Sequence, residues 1–370
     1  MKILIQGYYG FGNLGDDLLL KISYNFVKSR FPKARVFVYS NENTDFNGYL
    51  FNHIADEITI INYSHQDHFD LIVHGGGGVH FDFRKGSFGY LMLNALIHII
   101  GYKVYIKLYK LYKKIKNQER ITCDKRVGFG LGVGTFTNSS KIFSHNVTIL
   151  ADYNYMQVRD SLSRKNALRY LNGKKVELGT DLAFAKNYWP RDLNITRSTT
   201  IKKRLGIVLR KWEFETGQFD SILNFSEQME SDFDIKYFLF ERKRDSHLLK
   251  KFKGKASVRI WDPENEEMTN FLQEFAENDV IMTTRFHGSI IASAYGIPSI
   301  GLAIEPKILS LAEIMPCIKI VKPPFKETEL KSALNEIIVS FEDFKVKTIA
   351  EFENNRSKME LILKRFSKRL

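Results

Sequence analysis

Residues 1–17 read MKILIQGYYGFGNLGDD, a short apolar run followed by a glycine-rich loop and the start of a helix. An apolar run that ends in glycine is typical of a buried strand. A similar unit recurs at residues 280–288, where VIMTTRFHG joins a strand to a helix. Strand–loop–helix units repeated along a chain predict an α/β protein whose parallel strands are covered by helices on both faces.

Two series of such strands are separated by a polar stretch. The first series is predicted at residues 2–6, 35–39, 57–61, 71–74, 127–130, 156–159 and 176–179. The second is predicted at residues 205–209, 235–240, 258–260, 280–283, 298–301 and 318–321. Residues 186–204 between them are rich in Asn, Pro, Thr, Arg and Lys, which indicates a linker. We therefore predict two doubly wound Rossmann-like domains, at residues 1–190 and 200–340, with a cleft between them and a helix over residues 341–370 that packs back on the first domain.

The composition is that of a globular chain that favours anionic partners. Of 370 residues, 44% are hydrophobic and 26% are charged, which excludes a disordered or collagen-like chain. The net charge of +13 suits nucleic acid, anionic lipid or a phosphorylated small substrate. Two cysteines, Cys123 and Cys317, are too few for a disulfide framework, and the first segment is predicted to be a strand instead of a secretory signal, so we expect a cytoplasmic protein.

The sharpest candidate site follows the strand at residues 280–283. Arg285 and His287 lie at its carboxyl end, the edge at which open α/β sheets bind ligands. Arg210 and Lys307 follow the ends of two other strands of the same half. One basic strand end is ordinary, and a surface arginine beside a buried histidine would explain it. Three basic strand ends in one domain predict a site for a small polyanion.

The first glycine loop indicates a second subsite. Gly10, Gly12 and Gly15 match the dinucleotide pattern G-x-G-x-x-G. However, Asp16 lies where a pyrophosphate would need the helix N-terminus, so we do not expect a dinucleotide. Asn13 and Asp16 therefore indicate either a helix cap with a permissive turn or a loop that binds sugar hydroxyls.

A second loop contains four consecutive glycines at residues 75–78. Such a run favours close approach of the backbone to a ligand or to another segment. We expect Gly76, Gly77, His80 and Asp82 to face the cleft, although a single histidine can equally be a structural, hydrogen-bonded residue. No metal site, P-loop or nucleic-acid-binding module is recognisable, so neither a metal nor nucleic acid is expected as a partner.

Five motifs in this order resemble the polysaccharide pyruvyltransferase family: GYYGFGNLGD from residue 7, the glycines from residue 75, VRD at 158–160, GTDLAF at 179–184 and RFH at 285–287. The resemblance implies a fold like that of the GT-B glycosyltransferases. It also implies transfer of pyruvate from phosphoenolpyruvate to a sugar as a ketal, with release of phosphate and no cofactor. Arg285 and His287 match the donor site of the family, and Arg210 and Lys307 match further basic positions.

This chemistry implies roles for the candidate residues. His287 is expected to be the general acid that protonates the enol methylene. Arg285 and Arg210 are expected to neutralise the departing phosphate. A base for the sugar hydroxyls is expected from the first domain, with Asp16 and Asp82 as alternatives.

Residues 86–102 carry no charged side chain, and the segment that follows is rich in lysine and tyrosine. The positions of Lys103, Lys107, Lys110 and Lys114 share one helical face. This pattern predicts either an amphipathic helix on an anionic membrane surface or a solvated helix packed on its own domain. The resemblance favours the membrane, because family members often act on lipid-diphosphate-linked saccharides at the cytoplasmic leaflet.

Two other functions remain open. A GT-B glycosyltransferase that uses a nucleotide sugar would share the fold, the cleft and the basic strand ends, with Glu305 as the candidate ligand of the donor ribose. A non-catalytic saccharide-binding or anion-binding protein would share them as well.

Overall fold

A computed structural model gives the fold of the chain and describes residues 1–40, 57–62, 65–82, 88–116, 121–136, 140–171, 175–190, 202–210, 218–252 and 257–367. Within these residues the chain forms two parallel sheets, one in each half of the sequence. The predicted fold class, two doubly wound α/β domains, is confirmed.

The first sheet contains eight strands within the described residues. They are β1 (Lys2–Gln6), β2 (Arg35–Tyr39), β3 (Thr59–Ile61), β4 (Asp67–His74), β5 (Gly77–Asp82), β6 (Ile121–Phe136), β7 (Tyr155–Val158) and β8 (Glu177–Leu178). The helices of this half are α1 (Leu14–Arg30), α2 (Phe88–Ile100), α3 (Tyr102–Ile115), α4 (Ser140–Asp152) and α5 (Ser161–Tyr170). The strand order is β3-β2-β1-β4-β6-β7-β8, and β5 pairs in parallel with the second half of β6.

The second sheet has the order β11-β10-β9-β12-β13-β14, and all its pairs are parallel. Its strands are β9 (Lys203–Leu209), β10 (Phe233–Leu239), β11 (Ser257–Ile260), β12 (Val280–Thr283), β13 (Ser299–Leu302) and β14 (Lys319–Val321). The helices are α6 (Gln218–Met229), α7 (Arg242–Asp245), α8 (Met268–Ala276), α9 (Phe286–Ala294), α10 (Pro306–Leu309), α11 (Leu311–Ile314), α12 (Glu327–Val339) and α13 (Phe341–Ser367). The strand order reverses between β9 and β12, which is where a doubly wound sheet opens its ligand crevice.

A shared apolar core joins the two halves. One continuous cluster of buried side chains includes Leu18 and Leu19 of α1, Trp261 after β11, and Ile290 of α9. Burial of such side chains stabilises the fold by roughly 1.5–3 kcal/mol for each one. Because the cluster crosses from one sheet to the other, the domains are held together by core packing as well as by surface contacts.

Helix α13 lies against the first domain although it follows the second in sequence. Its Phe366 ring contacts the Phe129 ring of β6 edge to face, with centroids 4.8 Å apart. Asn187, which follows the first sheet, donates a 2.6 Å hydrogen bond to Glu360. The helix therefore connects the end of the chain to the first sheet.

The glycine run at residues 75–78 departs from the loop that the sequence predicts. Gly76 and Gly77 have φ angles of +79° and +77°, and this left-handed backbone, which is easy for glycine, turns the chain out of β4. The chain then continues at once as β5 beside β6. Strand β6 is correspondingly longer than predicted, because its first half pairs with β4 and its second half with β5.

Candidate active site

Four strands of the second sheet end in charged residues that meet in one cluster. Arg285, at the end of β12, pairs with Asp245 and lies 3.4 Å from Glu241, which follows β10. Arg210, at the end of β9, lies 3.4 Å from Glu305, which follows β13. Lys307 approaches the same Glu305 oxygen to 2.8 Å. The structure therefore brings together the three cations that the sequence predicts at strand ends.

Each of these cations faces a carboxylate that the polyanion prediction did not include. Among the described residues, Arg210, Arg285 and Lys307 are matched by Glu241, Asp245 and Glu305. Burial alone would raise the pKa of Glu305, but Lys307 and Arg210 hold it below its ordinary value. Arg285 Nε and Glu305 Oε2 are buried without a hydrogen-bond partner in the described part of the chain, so the cluster keeps unused hydrogen-bonding capacity.

His287 lies in the first turn of α9, between the two domains. Its Nε2 is 3.6 Å from Asp181 Oδ1 of the first domain. On the other side of the ring is Gly15 of α1, where an added Cβ would lie only 2.3 Å from His287 Nδ1. Glycine at position 15 is thus required for the close approach of the two helix ends.

Asp181 is completely buried and is held in place by its own domain. Its Oδ1 accepts a 2.9 Å hydrogen bond from the Ala183 N–H, and Arg159 Nη1 lies 3.4 Å from Oδ2. Burial would raise the pKa of this carboxyl, but His287, Arg159 and the Ala183 N–H together keep it below its ordinary value. Asp181 is therefore an anionic partner for His287. The prediction of site residues missed it, although the GTDLAF motif contains it.

Asp16 lies in the first turn of α1 beside this pair. Loss of hydration raises its pKa to about 6, even though the nearby charges of His287 and Lys307 act in the opposite direction. Its Oδ1 would be 3.4 Å from a Cβ added at Gly77, so Gly77 leaves space next to the carboxyl. A carboxyl with this pKa exchanges protons readily near neutral pH.

Asn13 is the N-cap residue of α1, which is one of the two roles that the sequence predicts for it. Its Oδ1 accepts a 3.1 Å hydrogen bond from the Gly15 N–H, and its Nδ2 donates to Glu241 across the domain boundary at 3.4 Å. The adjacent Leu14 N–H donates a 2.9 Å hydrogen bond to the Phe240 carbonyl. The first glycine loop is therefore docked on the second domain at the edge of the charge cluster.

The model of the polysaccharide pyruvyl transferase family matches residues 13–306. The chain belongs to this family. The match extends from the cap of α1 to the start of α10 and so includes every residue of the cluster except Lys307, which directly follows its end.

Solved structures show that this pyruvyl transferase family member has a GT-B-like fold. Anabaena Alr3699/HepE in complex with UDP-glucose is 12% identical, with a TM-score of 0.57 and 100% of both chains covered. Methanocaldococcus jannaschii UDP-GlcNAc 2-epimerase in complex with UDP-GlcNAc and UDP is 14% identical, with a TM-score of 0.53, and covers 90% of this chain and 92% of that one. At these identities the likeness concerns the fold. No curated protein matches the chain.

The acceptor residues predicted on the second glycine segment have different surroundings. Gly76 and Gly77 form the turn next to Leu19 and Asp16. The expectation that His80 faces the cleft is corrected, since its ring is buried and bonds to Asn146 and Tyr153 at 2.9 and 2.8 Å. Burial lowers its pKa to about 4. Asp82 ends β5, and its side chain lies outside the described part of the structure.

The lysines of α3 lie apart from the charge cluster. Lys103, Lys107 and Lys114 are exposed, whereas Lys110 pairs with Asp152 of α4. In the part of the chain that the structure describes, no group of three or more His, Cys, Asp or Glu side chains is placed to hold a metal ion.

Proposed function

We propose that this protein transfers pyruvate from phosphoenolpyruvate to two hydroxyls of a saccharide, forming a pyruvyl ketal and releasing phosphate. The observation that carries the proposal is the cluster of Arg210, Arg285 and Lys307 beside a histidine held by Asp181. Phosphoenolpyruvate has a carboxylate and a phosphate, and the three cations at one sheet edge can bind both groups in exchange for their present carboxylate partners. Membership of the pyruvyl transferase family supports the same reaction type.

The proposed reaction begins with a proton from His287 to the methylene carbon of phosphoenolpyruvate. The neighbouring carbon then has oxocarbenium character and accepts the first sugar hydroxyl, whose proton goes to Asp16. Phosphate departs as its carbon–oxygen bond breaks, and the second hydroxyl forms the second carbon–oxygen bond. The proton of that second hydroxyl leaves with phosphate. The proton of the first hydroxyl, held by Asp16, passes to His287 and replaces the one that the histidine gave up, so the cycle balances.

Asp181 supports this role of His287. Its ionised carboxylate lies 3.6 Å from Nε2 and helps to fix the orientation of the imidazole ring before a substrate binds. Asp16 is the better supported of the two predicted bases, because its pKa of about 6 leaves it mostly ionised at neutral pH. The pair therefore supplies an acid and a base on opposite sides of the domain boundary.

Donor binding has to compete with the carboxylates that already face the cations. Lys307 is the most accessible of the three, since 31% of its side chain is exposed. We propose that the phosphate takes over contacts of Lys307 and Arg210 with Glu305, and that the carboxylate of the donor accepts from Arg285 Nε. In a site shielded from water such charge-assisted hydrogen bonds are strong.

Thermal unfolding with phosphoenolpyruvate and with a panel of nucleotide sugars tests the proposal. Phosphoenolpyruvate at about one hundred times its Kd should stabilise the protein by roughly 2.7 kcal/mol. Lys307→Gln should abolish most of that shift. The control Lys322→Gln removes an exposed lysine of the same domain and should leave it unchanged. Arg285→Ala is a poorer variant, because it would leave Asp245 and Glu241 buried without their cation.

Stabilisation by a nucleotide sugar and not by phosphoenolpyruvate would contradict the proposal and indicate a glycosyltransferase. Stabilisation by saccharides alone would indicate a non-catalytic binding protein. A positive result with phosphoenolpyruvate justifies a search for the acceptor by phosphate release.

We further propose that helices α2 and α3 rest on the anionic cytoplasmic leaflet, where the acceptor saccharide is carried by a lipid diphosphate. Large apolar side chains are exposed there, among them Leu91, Ile99 and Ile115 at 63%, 82% and 74%. Residues 88–116 contain no Asp or Glu, so nothing in the segment repels an anionic surface. No single described helix is long and apolar enough to cross a bilayer, and α2 and α3 reach that length only as a pair bent by 114°.

Sedimentation with vesicles of phosphatidylglycerol and phosphatidylcholine tests this surface. The triple variant Lys103→Glu, Lys107→Glu and Lys114→Glu should lose binding to the anionic vesicles, because each lysine near such a surface contributes about 1 kcal/mol. Lys110 is left intact because it pairs with Asp152. The control Lys125→Glu changes an exposed lysine of β6 and should sediment like the unchanged protein. If the triple variant sedimented with anionic vesicles as well as the Lys125→Glu control does, the proposal would be wrong.

A further inference from the structure

A polar cavity lies within the first domain, separate from the charge cluster at the domain boundary. It has a volume of about 780 Å³. One wall is the sheet and the other is formed by α4 and the end of α3. Its lining includes Gln6, His74, Lys113, Arg126 and His145. The proposed pyruvyl transfer uses none of these residues.

Arg126 is a buried guanidinium without a carboxylate partner among the described residues. Only 9% of the residue is exposed, and its Nη1 donates a 3.0 Å hydrogen bond to the neutral Gln6 Oε1. Its Nε has no partner in the described part of the chain. Buried charges are normally paired, because removal of an ion from water is costly. An unpaired one therefore indicates an anion that comes from outside the chain.

The acids that line the same cavity have other partners. Asp124 lies 3.0 Å from His68 Nε2, and Asp152 pairs with Lys110. Within the described residues neither carboxylate is paired with Arg126, so its guanidinium keeps hydrogen-bonding capacity for a ligand.

His74 adds a second unused group. It is 3% exposed, and its Nδ1 has no hydrogen-bond partner within the described residues. Burial and then the positive charge of Arg126 hold the pKa of His74 well below its ordinary value, so the ring is neutral. In the tautomer that has its proton on Nδ1, this nitrogen is a donor. Lys113 also lines the cavity, and its Nζ approaches His145 Nδ1 to 3.5 Å.

We propose that this cavity binds an anionic group of the phosphate or carboxylate type, with Arg126 as its principal ligand and His74 as a second donor. The group can belong to a free anion or to a lipid-borne diphosphate, since the chemistry of recognition is the same. Charge-assisted hydrogen bonds from a buried guanidinium are among the strongest that a protein can offer.

Titration calorimetry with inorganic pyrophosphate and inorganic phosphate tests the site. Arg126→Gln should weaken binding by about tenfold or more, because it removes a hydrogen bond to a charged group. The matched control Lys125→Gln removes the same charge from an exposed position next to it and should bind normally. The pyrophosphate binding that Lys307→Gln loses is the part that takes place at the charge cluster between the domains. Arg126→Lys keeps the charge and should retain part of the affinity.

Folding of the variants is checked without any anion. Arg126→Gln should unfold at the same temperature as the unchanged protein or higher, since it removes an unpaired buried charge. A lower unfolding temperature together with unchanged pyrophosphate binding would mean that Arg126 is structural, and the proposal would fall.

A second arm identifies the source of the anion. Flotation with phosphatidylcholine vesicles, with and without a polyprenyl diphosphate, is compared for Arg126→Gln and Lys125→Gln. If Arg126→Gln loses binding only to the vesicles that contain the diphosphate, the group is lipid-borne. If it loses binding only to free pyrophosphate, the group is a soluble anion. Equal binding of both variants in both arms would overturn the proposal. Phosphoenolpyruvate stabilisation, measured in the same variants, should persist in Arg126→Gln and be mostly lost in Lys307→Gln, so failure of the donor site and failure of this site are distinguishable.

Discussion

His287 is confined by two residues of the other domain, and both contacts limit what its ring can do. Asp181 is 3.6 Å from Nε2, and the Gly15 backbone lies against Nδ1. A histidine fixed in this way has its orientation set before a substrate arrives, which is a requirement for efficient proton transfer.

His287→Gln should lower kcat by about 10²–10⁴-fold, because it removes the proposed proton donor while keeping a polar side chain of similar length. The Kd for phosphoenolpyruvate should change far less, since the three cations remain. Phosphate release and calorimetry measure the two quantities separately. A variant with full activity would show that His287 is not the acid.

Asp16→Asn should raise stability and lower activity. The pKa of Asp16 is raised by burial to about 6, so the folded state favours the protonated carboxyl and loses stability as the pH rises from about 4 through about 6. At pH 7 the neutral asparagine avoids this cost, which has an upper bound of about 3 kcal/mol. The unchanged enzyme should gain activity as the pH rises through about 6. Unfolding of both proteins at pH 7 and at pH 4 measures the difference in stability at each pH. An Asp16→Asn variant that is less stable than the unchanged protein at pH 7 would contradict the prediction.

At the scale of elements, the amino ends of α1 and α9 meet head to head. Gly15 in the first turn of α1 faces His287 in the first turn of α9. The helices begin there because the glycine loop and the end of β12 lead directly into them. Glycine at this contact is a packing requirement, since even one methyl group would overlap the imidazole.

Gly15→Ala should displace His287 and lower kcat by about 10–100-fold, because small displacements of a catalytic group are costly. The control Lys21→Ala changes a partly exposed position of the same helix and should keep its activity. Thermal unfolding of both variants separates loss of placement from loss of folding. Full activity of Gly15→Ala would mean that the histidine ring can move without effect.

At the scale of the whole molecule, the domain boundary includes a buried polar contact as well as apolar packing. Trp261 Nε1 donates a 2.8 Å hydrogen bond to Asp17 Oδ2, and both residues are almost fully buried. The apolar cluster continues across the same boundary. Both features couple the stability of one domain to that of the other.

Urea unfolding should therefore show a single transition, and Trp261→Phe should lower the free energy of unfolding by about 1–3 kcal/mol through the lost hydrogen bond. Asp17→Asn keeps an acceptor for the indole and should cost less. Fluorescence and circular dichroism should follow the same curve. Two separate transitions in the unchanged protein would show that the domains unfold independently.

The sequence by itself determined the fold class, the two halves and the basic strand ends, because these depend on local patterns of apolar, glycine and charged residues. It did not reveal β5, since whether a glycine run bends into a loop or continues a sheet depends on the strand beside it. The partners of the cations were also decided by the tertiary structure: Asp245 lies 40 residues before Arg285 in the chain, and Asp181 belongs to the other domain. The same holds for Arg126, whose missing partner is evident only from what surrounds it. Ion pairs and burial arise from long-range packing, and that packing decides which charges are neutralised and which are left to bind a ligand.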